Sequence, residues 1–317
     1  MRSMGLIGTI YRTIFFELKN LPSKSACARL IRFRLNANGA EFIQEIQLPA
    51  QFQPKSNAVL FVHGIDYVDD REAINDFIQP IAEACGLDKS RRHSEFYLLT
   101  WNSMLFSQTA RDEMGLRNLR RLLFYAAAFL WWGLIWRDAE RRAGDAAATL
   151  AEFLEAAFGT GYPIGSVKGF APTAVTHSAG ALVWAKAIKL LSERRPDLIH
   201  QGINIGRWWN LQPALPASAF CGHGDYAAVA ALYDGARPNH LVWFSRMDFI
   251  LGGFYRLARR APAMGQFGSS NRLIRQRDVT WMTMEAHGNN VLMRLSGSFF
   301  ARARRALRVD ARALGLV

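Results

Sequence analysis

The stretch that decides the fold is Thr173-Ala174-Val175-Thr176-His177-Ser178-Ala179-Gly180, followed by ALVWAKAIKLL (181–191). An apolar strand over Thr173–Thr176 runs into a helix over 181–191, which Glu193 to Pro196 ends. Between them stands Ser178 with small neighbours on its far side. A serine at such a strand-to-helix turn stands exposed above the carboxyl edge of a sheet. The helix N-terminus behind it offers backbone N–H groups to developing negative charge. The pentapeptide Thr176-His177-Ser178-Ala179-Gly180 approximates G-x-S-x-G, with Thr176 in place of the first glycine. Strand packing at the turn must therefore accommodate a β-carbon there.

Working outward, other short apolar runs read as strands of the same sheet. Residues 29–35 and 40–48 form a pair joined at Asn38-Gly39, a hairpin dipeptide. AVLFV (58–62) is a buried parallel strand ending in His63-Gly64. A helix follows over 71–84, with Ile74, Phe77, Ile78 and Ile81 on one face. Phe96–Trp101, Ile203–Leu211, Leu241–Ser245 and Asp278–Met284 complete the strands, the last of them read from partial alternation. Strands alternating with helices predict an α/β fold, a mostly parallel sheet covered on both faces.

A serine nucleophile needs a base, and the base needs an orienting acid. On this architecture the chain order is serine, acid, histidine, each after a later strand. Asp248 follows the strand Leu241–Ser245, and His287 follows the last strand. Asp225 and Asp234 precede the strand Leu241–Ser245, so topology favours Asp248 as the acid. The oxyanion donors expected are the N–H groups of Ala179 and of Ile65, in the His63-Gly64 loop. His63 is expected to shape that loop through hydrogen bonds without proton transfer, and His177 to be structural.

With these residues in place the chain resembles the α/β-hydrolase superfamily, of the esterase and lipase kind. The resemblance covers about residues 55–300. It rests on FVHG (61–64), LLTWNS (98–103), VTHSAG (175–180), NLQPAL (210–215), SRMDFILG (245–252) and EAHGNN (285–290). It implies one α/β-hydrolase domain over residues 1–317. It also implies Ser178 as nucleophile, Asp248 as acid and His287 as base, acting without a cofactor on carboxylic esters, with apolar or lipid acyl esters the expected substrates. The alternatives are an acyltransferase with the same nucleophile, or a non-catalytic module on the same scaffold.

The connection between Phe96–Trp101 and Thr173 is too long for one crossover helix. A helix with Leu150, Phe153, Leu154, Ala157 and Phe158 on one face fits 145–158, and 104–144 reads as a helical insertion. Within it, LLFYAAAFLWWGLIW (122–136) carries no charge. At about 1.5 Å per residue it falls short of the ~30 Å hydrocarbon core. Arginines flank it, and Tyr125, Trp131, Trp132 and Trp136 are interfacial types. A lid, a membrane-dipping helix and a core helix all fit.

The 317 residues are 50% hydrophobic and 21% charged, which excludes a disordered chain. With 39 Lys and Arg against 26 Asp and Glu the net charge is +13. The basic residues cluster at Arg111–Arg142 and at Arg302–Arg312, the second within an amphipathic tail (299–317) expected as a surface helix. No nucleic-acid-binding signature accompanies them, so nucleic acid is not expected and an anionic membrane surface is the candidate macromolecular partner. Cys27, Cys85 and Cys221 lack disulfide-framework or metal-type spacing, and His223 with Asp225 is a weak pair, so no metal is expected. No small-residue cleavage site follows the N-terminal apolar stretch, so a cytoplasmic location is expected, with peripheral attachment to a membrane as the variant.

Overall fold

The computed structural model describes residues 28–36, 39–54, 58–65, 67, 70–87, 95–103, 118–159, 171–200, 205–233, 239–281 and 298–317. For 36, 39, 118–132, 199–200 and 298–302 it describes the backbone alone. The eight strands among the described residues are β1 (Arg29–Asn36), β2 (Gly39–Ile46), β3 (Val59–Val62), β4 (Phe96–Thr100), β5 (Thr173–His177), β6 (Arg207–Leu211), β7 (His240–Phe244) and β8 (Arg275–Asp278). They form one sheet in the order β2-β1-β4-β3-β5-β6-β7-β8. β1 pairs antiparallel with both β2 and β4, and every pair from β4 to β8 is parallel.

Side chains alternate across the pleat, and β1 and β3 to β7 each feed two cores. Leu60, Val62, Ala174, Trp208 and Val242 face one core. Val59, Phe61, Val175, Trp209, Leu241 and Trp243 face the other. Trp208 and Trp209 are both fully buried, on opposite faces, and pack as core. The first core is covered by α2 (Asn118–Gly159) and α3 (Gly180–Arg194). The second is covered by α1 (70–85), which passes through a π turn at Ile74–Ile78, and by α4 (Ser298–Ala313). The one face read from the sequence for α1, Ile74, Phe77, Ile78 and Ile81, does meet this core.

Three boundaries differ from the sequence reading. The pairing Asn36↔Gly39 places the β1–β2 connection at residues 37–38, one position earlier than Asn38-Gly39. The last described strand ends at Asp278, where the sequence reading begins it, and 282–284 of that reading lie outside the described residues. β8 is an edge strand reading Arg-Gln-Arg-Asp, so it carries no apolar alternation to find. Its Arg277 turns instead to a buried carboxylate, Asp310 of α4.

The third difference is larger. Residues 118–144 of the insertion and the helix 145–158 are one continuous helix, α2, of 42 residues, while 104–117 lie outside the described residues. The charged segment between the two apolar parts is cross-linked by its own side chains. Trp136 Nε1–H donates to Glu140 at 2.8 Å, Arg142 Nε–H to Asp138 at 2.9 Å and Arg141 to Asp145 at 3.1 Å, all at i,i+4 spacing. Arg142, part of the basic cluster in sequence, is buried and donates to the Asn102 carbonyl at 2.6 Å, which ties α2 to the loop after β4. Ile135 and Trp136 are buried, so the end of the apolar run belongs to the core, while Leu134 is exposed. Among the described residues, no helix is long and apolar enough to cross a membrane.

Candidate active site

β5 delivers Ser178 to the carboxyl edge of the sheet in a left-handed conformation, φ 53°. Non-glycine residues avoid this region, and those held there are over-determined by their surroundings. Here the Ser178 N–H donates to the Leu211 carbonyl at 3.0 Å, and the Ser178 carbonyl accepts from Ala214 at 3.0 Å and Ala181 at 3.2 Å. α3 starts two residues later, at Gly180.

The loop after β3 is pressed against this turn. A β-carbon on Gly180 would lie 2.2 Å from the Val62 carbonyl oxygen and 2.6 Å from that of His63. A β-carbon on Gly64 would lie 2.7 Å from the Ser178 Cβ. The two glycines therefore allow the loop His63-Gly64-Ile65 to meet the serine turn at backbone contact. This brings together the elements that carry Ser178, Ala179, His63, Gly64 and Ile65.

His63 is buried and neutral. The Trp101 N–H donates to its Nε2 at 3.2 Å, so Nδ1 carries the proton and donates to the Gly64 carbonyl at 2.9 Å. Burial lowers its pKa to about 4. The ring stacks on Trp101 at 5.8 Å, and Trp101 Nε1–H returns a bond to the His63 carbonyl. With both ring nitrogens engaged, His63 ties its own loop to Trp101. His177 is buried, with its ring tilted against Phe77.

The threonine at the first-glycine position has a role of its own. Trp208 Nε1–H donates to Thr176 Oγ1 at 3.0 Å, and that hydroxyl donates to Asn210 Oδ1 at 2.5 Å. Asn210 Nδ2–H donates in turn to His240 Nε2 at 2.8 Å. The whole chain is buried on β5, β6 and β7, directly below the serine turn. His240, stacked on Trp208 at 4.5 Å, is held neutral by burial, with its pKa lowered to about 3. Nothing in the sequence reading pointed to this network, because its members are spread over three strands.

Asp248 lies in the turn after β7 and is fully buried. Its backbone N–H donates to Ser245 at 3.1 Å. The Leu251 N–H donates to its Oδ1 at 2.9 Å, which caps the helical segment that follows. Gln212 Nε2–H donates to its Oδ2 at 3.0 Å. Gln212, the first residue after β6, also sits at a left-handed φ of 46°. It was not singled out from sequence, since a glutamine after a strand carries no chemical signature of its own.

His287 lies outside the described residues, as does Asp234. His223 and Asp225 are exposed in a turn. Among the described residues no group of three His, Cys, Asp or Glu side chains gathers to hold a metal ion. Cys85 is buried, and burial pushes its thiol pKa up to about 12.

No protein-family model matches the chain, and no curated protein matches it. Among solved structures it is similar to a provisionally assigned carboxylesterase of Lactobacillus plantarum WCFS1, with 13% identity over 92% of this chain and 99% of that one, at a TM-score of 0.33. It is also similar to a carboxylesterase structure from the same organism, with 13% identity over 90% and 98% of the two chains, at a TM-score of 0.34. At these TM-scores the likeness adds nothing to what the sheet itself says. By the order and direction of its strands, and by the left-handed serine between β5 and α3, the chain has the α/β-hydrolase fold.

Proposed function

We propose that the protein is a serine hydrolase of carboxylic esters with apolar acyl groups. The observation that carries this reading is Ser178, a non-glycine residue held left-handed at the carboxyl edge of the sheet with the Gly64 loop packed against it. Strain of this kind, over-determined by backbone bonds, is kept where a side chain must be presented. In the proposed reaction Ser178 Oγ attacks the ester carbonyl while His287 takes its proton. Asp248 holds the imidazole and its charge. The oxyanion is received by the N–H groups of Ile65 and Ala179. The alkoxide leaves with the proton from His287, and water, deprotonated by His287, then releases the acid and restores Ser178.

Met247 and Phe249, on either side of Asp248, are 43% and 64% exposed, which favours an apolar acyl chain. Leu134 and Arg137, exposed near the end of the apolar part of α2, favour turnover at an anionic lipid surface. The test is hydrolysis of p-nitrophenyl esters from acetyl to dodecanoyl, with and without anionic vesicles, by the native chain and by Ser178→Ala and His287→Ala. Longer acyl chains are expected to turn over faster, and both variants to be inactive. A preference for acetyl esters would remove the apolar substrate. Hydrolysis that survives both substitutions would remove Ser178 as nucleophile. Transfer to added alcohol in preference to water would make the protein an acyltransferase.

A further inference from the structure

Deepening that reading, we infer that Gln212 is a positioning residue that ties the serine turn to the acid turn. The segment just past β6 touches both. Leu211 and Ala214 bind the backbone of Ser178 through its N–H and its carbonyl. Between them, the Gln212 N–H donates to the Trp243 carbonyl of β7 at 2.9 Å. Its side-chain amide donates to Asp248 Oδ2 at 3.0 Å. A carboxylate oxygen only accepts, so the amide orientation is fixed: Nε2 faces Asp248 and Oε1 points away.

Two features mark the residue as kept for placement rather than for stability. Its backbone is left-handed at φ 46° without being glycine. Its Oε1 is buried with no hydrogen-bond partner among the described residues. A β-carbon on Gly265 would lie 2.4 Å from the Gln212 carbonyl carbon, so the strand exit is clamped from outside as well. Leu251 N–H fixes the other oxygen of Asp248. With both oxygens held, the carboxylate keeps one orientation relative to a serine anchored on the same segment.

The test separates placement from folding. Gln212→Met keeps the volume and removes the donor. Gln212→Asn suits a left-handed backbone better than glutamine does, but its shorter side chain cannot reach Asp248. Both variants are expected to keep the native melting temperature within a few degrees. For p-nitrophenyl butyrate, kcat is expected to fall by about 10- to 100-fold, the range seen when outer supporting residues are removed, with KM within about twofold. In an Asp248→Asn background, Gln212→Met is expected to cost nothing further, because its effect passes through that carboxylate. Native kcat in both variants, an undiminished loss in the Asp248→Asn background, or failure of both variants to fold would overturn the inference alone. If the native chain is not labelled by a fluorophosphonate, the hydrolase reading falls and the Gln212 role falls with it.

Discussion

Ser178 and Gln212 end adjacent strands in the same left-handed conformation, and the packing around them shows why the neighbouring residues are what they are. At Gly64 a methyl group would meet the Ser178 Cβ at 2.7 Å. Gly64→Ala is therefore expected to slow fluorophosphonate labelling by at least ~100-fold, the scale of losing one oxyanion donor, and a labelling rate within threefold of native would contradict this placement. Thr176 is more instructive, because it departs from the common glycine. Its hydroxyl is the middle of the Trp208–Thr176–Asn210 chain. Thr176→Val keeps the shape and strands two buried polar groups, so it is expected to lose about 1–3 kcal/mol in urea titration. The serine turn and its partner glycines were legible from one pentapeptide, 176–180, and the dipeptide His63-Gly64. The Thr176 network and Gln212 were not, because each depends on which strands lie side by side, and a linear sequence does not display strand order.

At the scale of elements, apolar strands flanked by helices were read within a few residues, since burial on both faces leaves a continuous hydrophobic run. β8 escaped because its stability comes from charge. Asp310 of α4 is fully buried, accepts from Arg277 at two oxygens and from Trp243 Nε1 at 2.7 Å, and forms an ion pair with Arg275 at 3.5 Å. The tail expected as a simple surface helix thus locks the edge strand that precedes the His287 segment. Its apolar side, Ala303, Ala306, Leu307 and Ala311, fills the second core, and Arg308 donates to the Ala84 carbonyl of α1. Asp310→Ala leaves the buried Trp243 indole and the part-exposed Arg275 and Arg277 without their acceptor, and about 1–3 kcal/mol of stability is expected to go with it. An unfolding midpoint unchanged in that variant would show the cluster to be energetically idle. α2 was split in the sequence reading because its middle turn is charged. The i,i+4 pairs across Asp138–Asp145 show that those charges join the helix rather than end it.

At the scale of the whole molecule, two buried neutral histidines set its behaviour in acid. His63 and His240 have pKa values lowered by burial, to about 4 and about 3, while in the unfolded chain each takes a proton near its ordinary value of 6.5. Because the unfolded state binds the protons first, their contribution to stability is complete above pH 6.5. It is lost as pH falls from 6.5 towards the folded-state values, at up to about 1.4 kcal/mol per pH unit for each histidine. Chemical denaturation at pH 7, 6, 5 and 4 should show this decline, and His240→Gln should have a shallower slope than the native chain. A stability flat from pH 7 to 4 would contradict neutral burial of the two rings. The central claim, that a strained Ser178 is an activated nucleophile, is tested most directly by mapping where a fluorophosphonate attaches. Labelled protein is digested and the modified peptide read by mass spectrometry. The account predicts one adduct, on Ser178, absent after Ser178→Ala and after His287→Ala. An adduct on another serine, or none on the folded native chain, would contradict it.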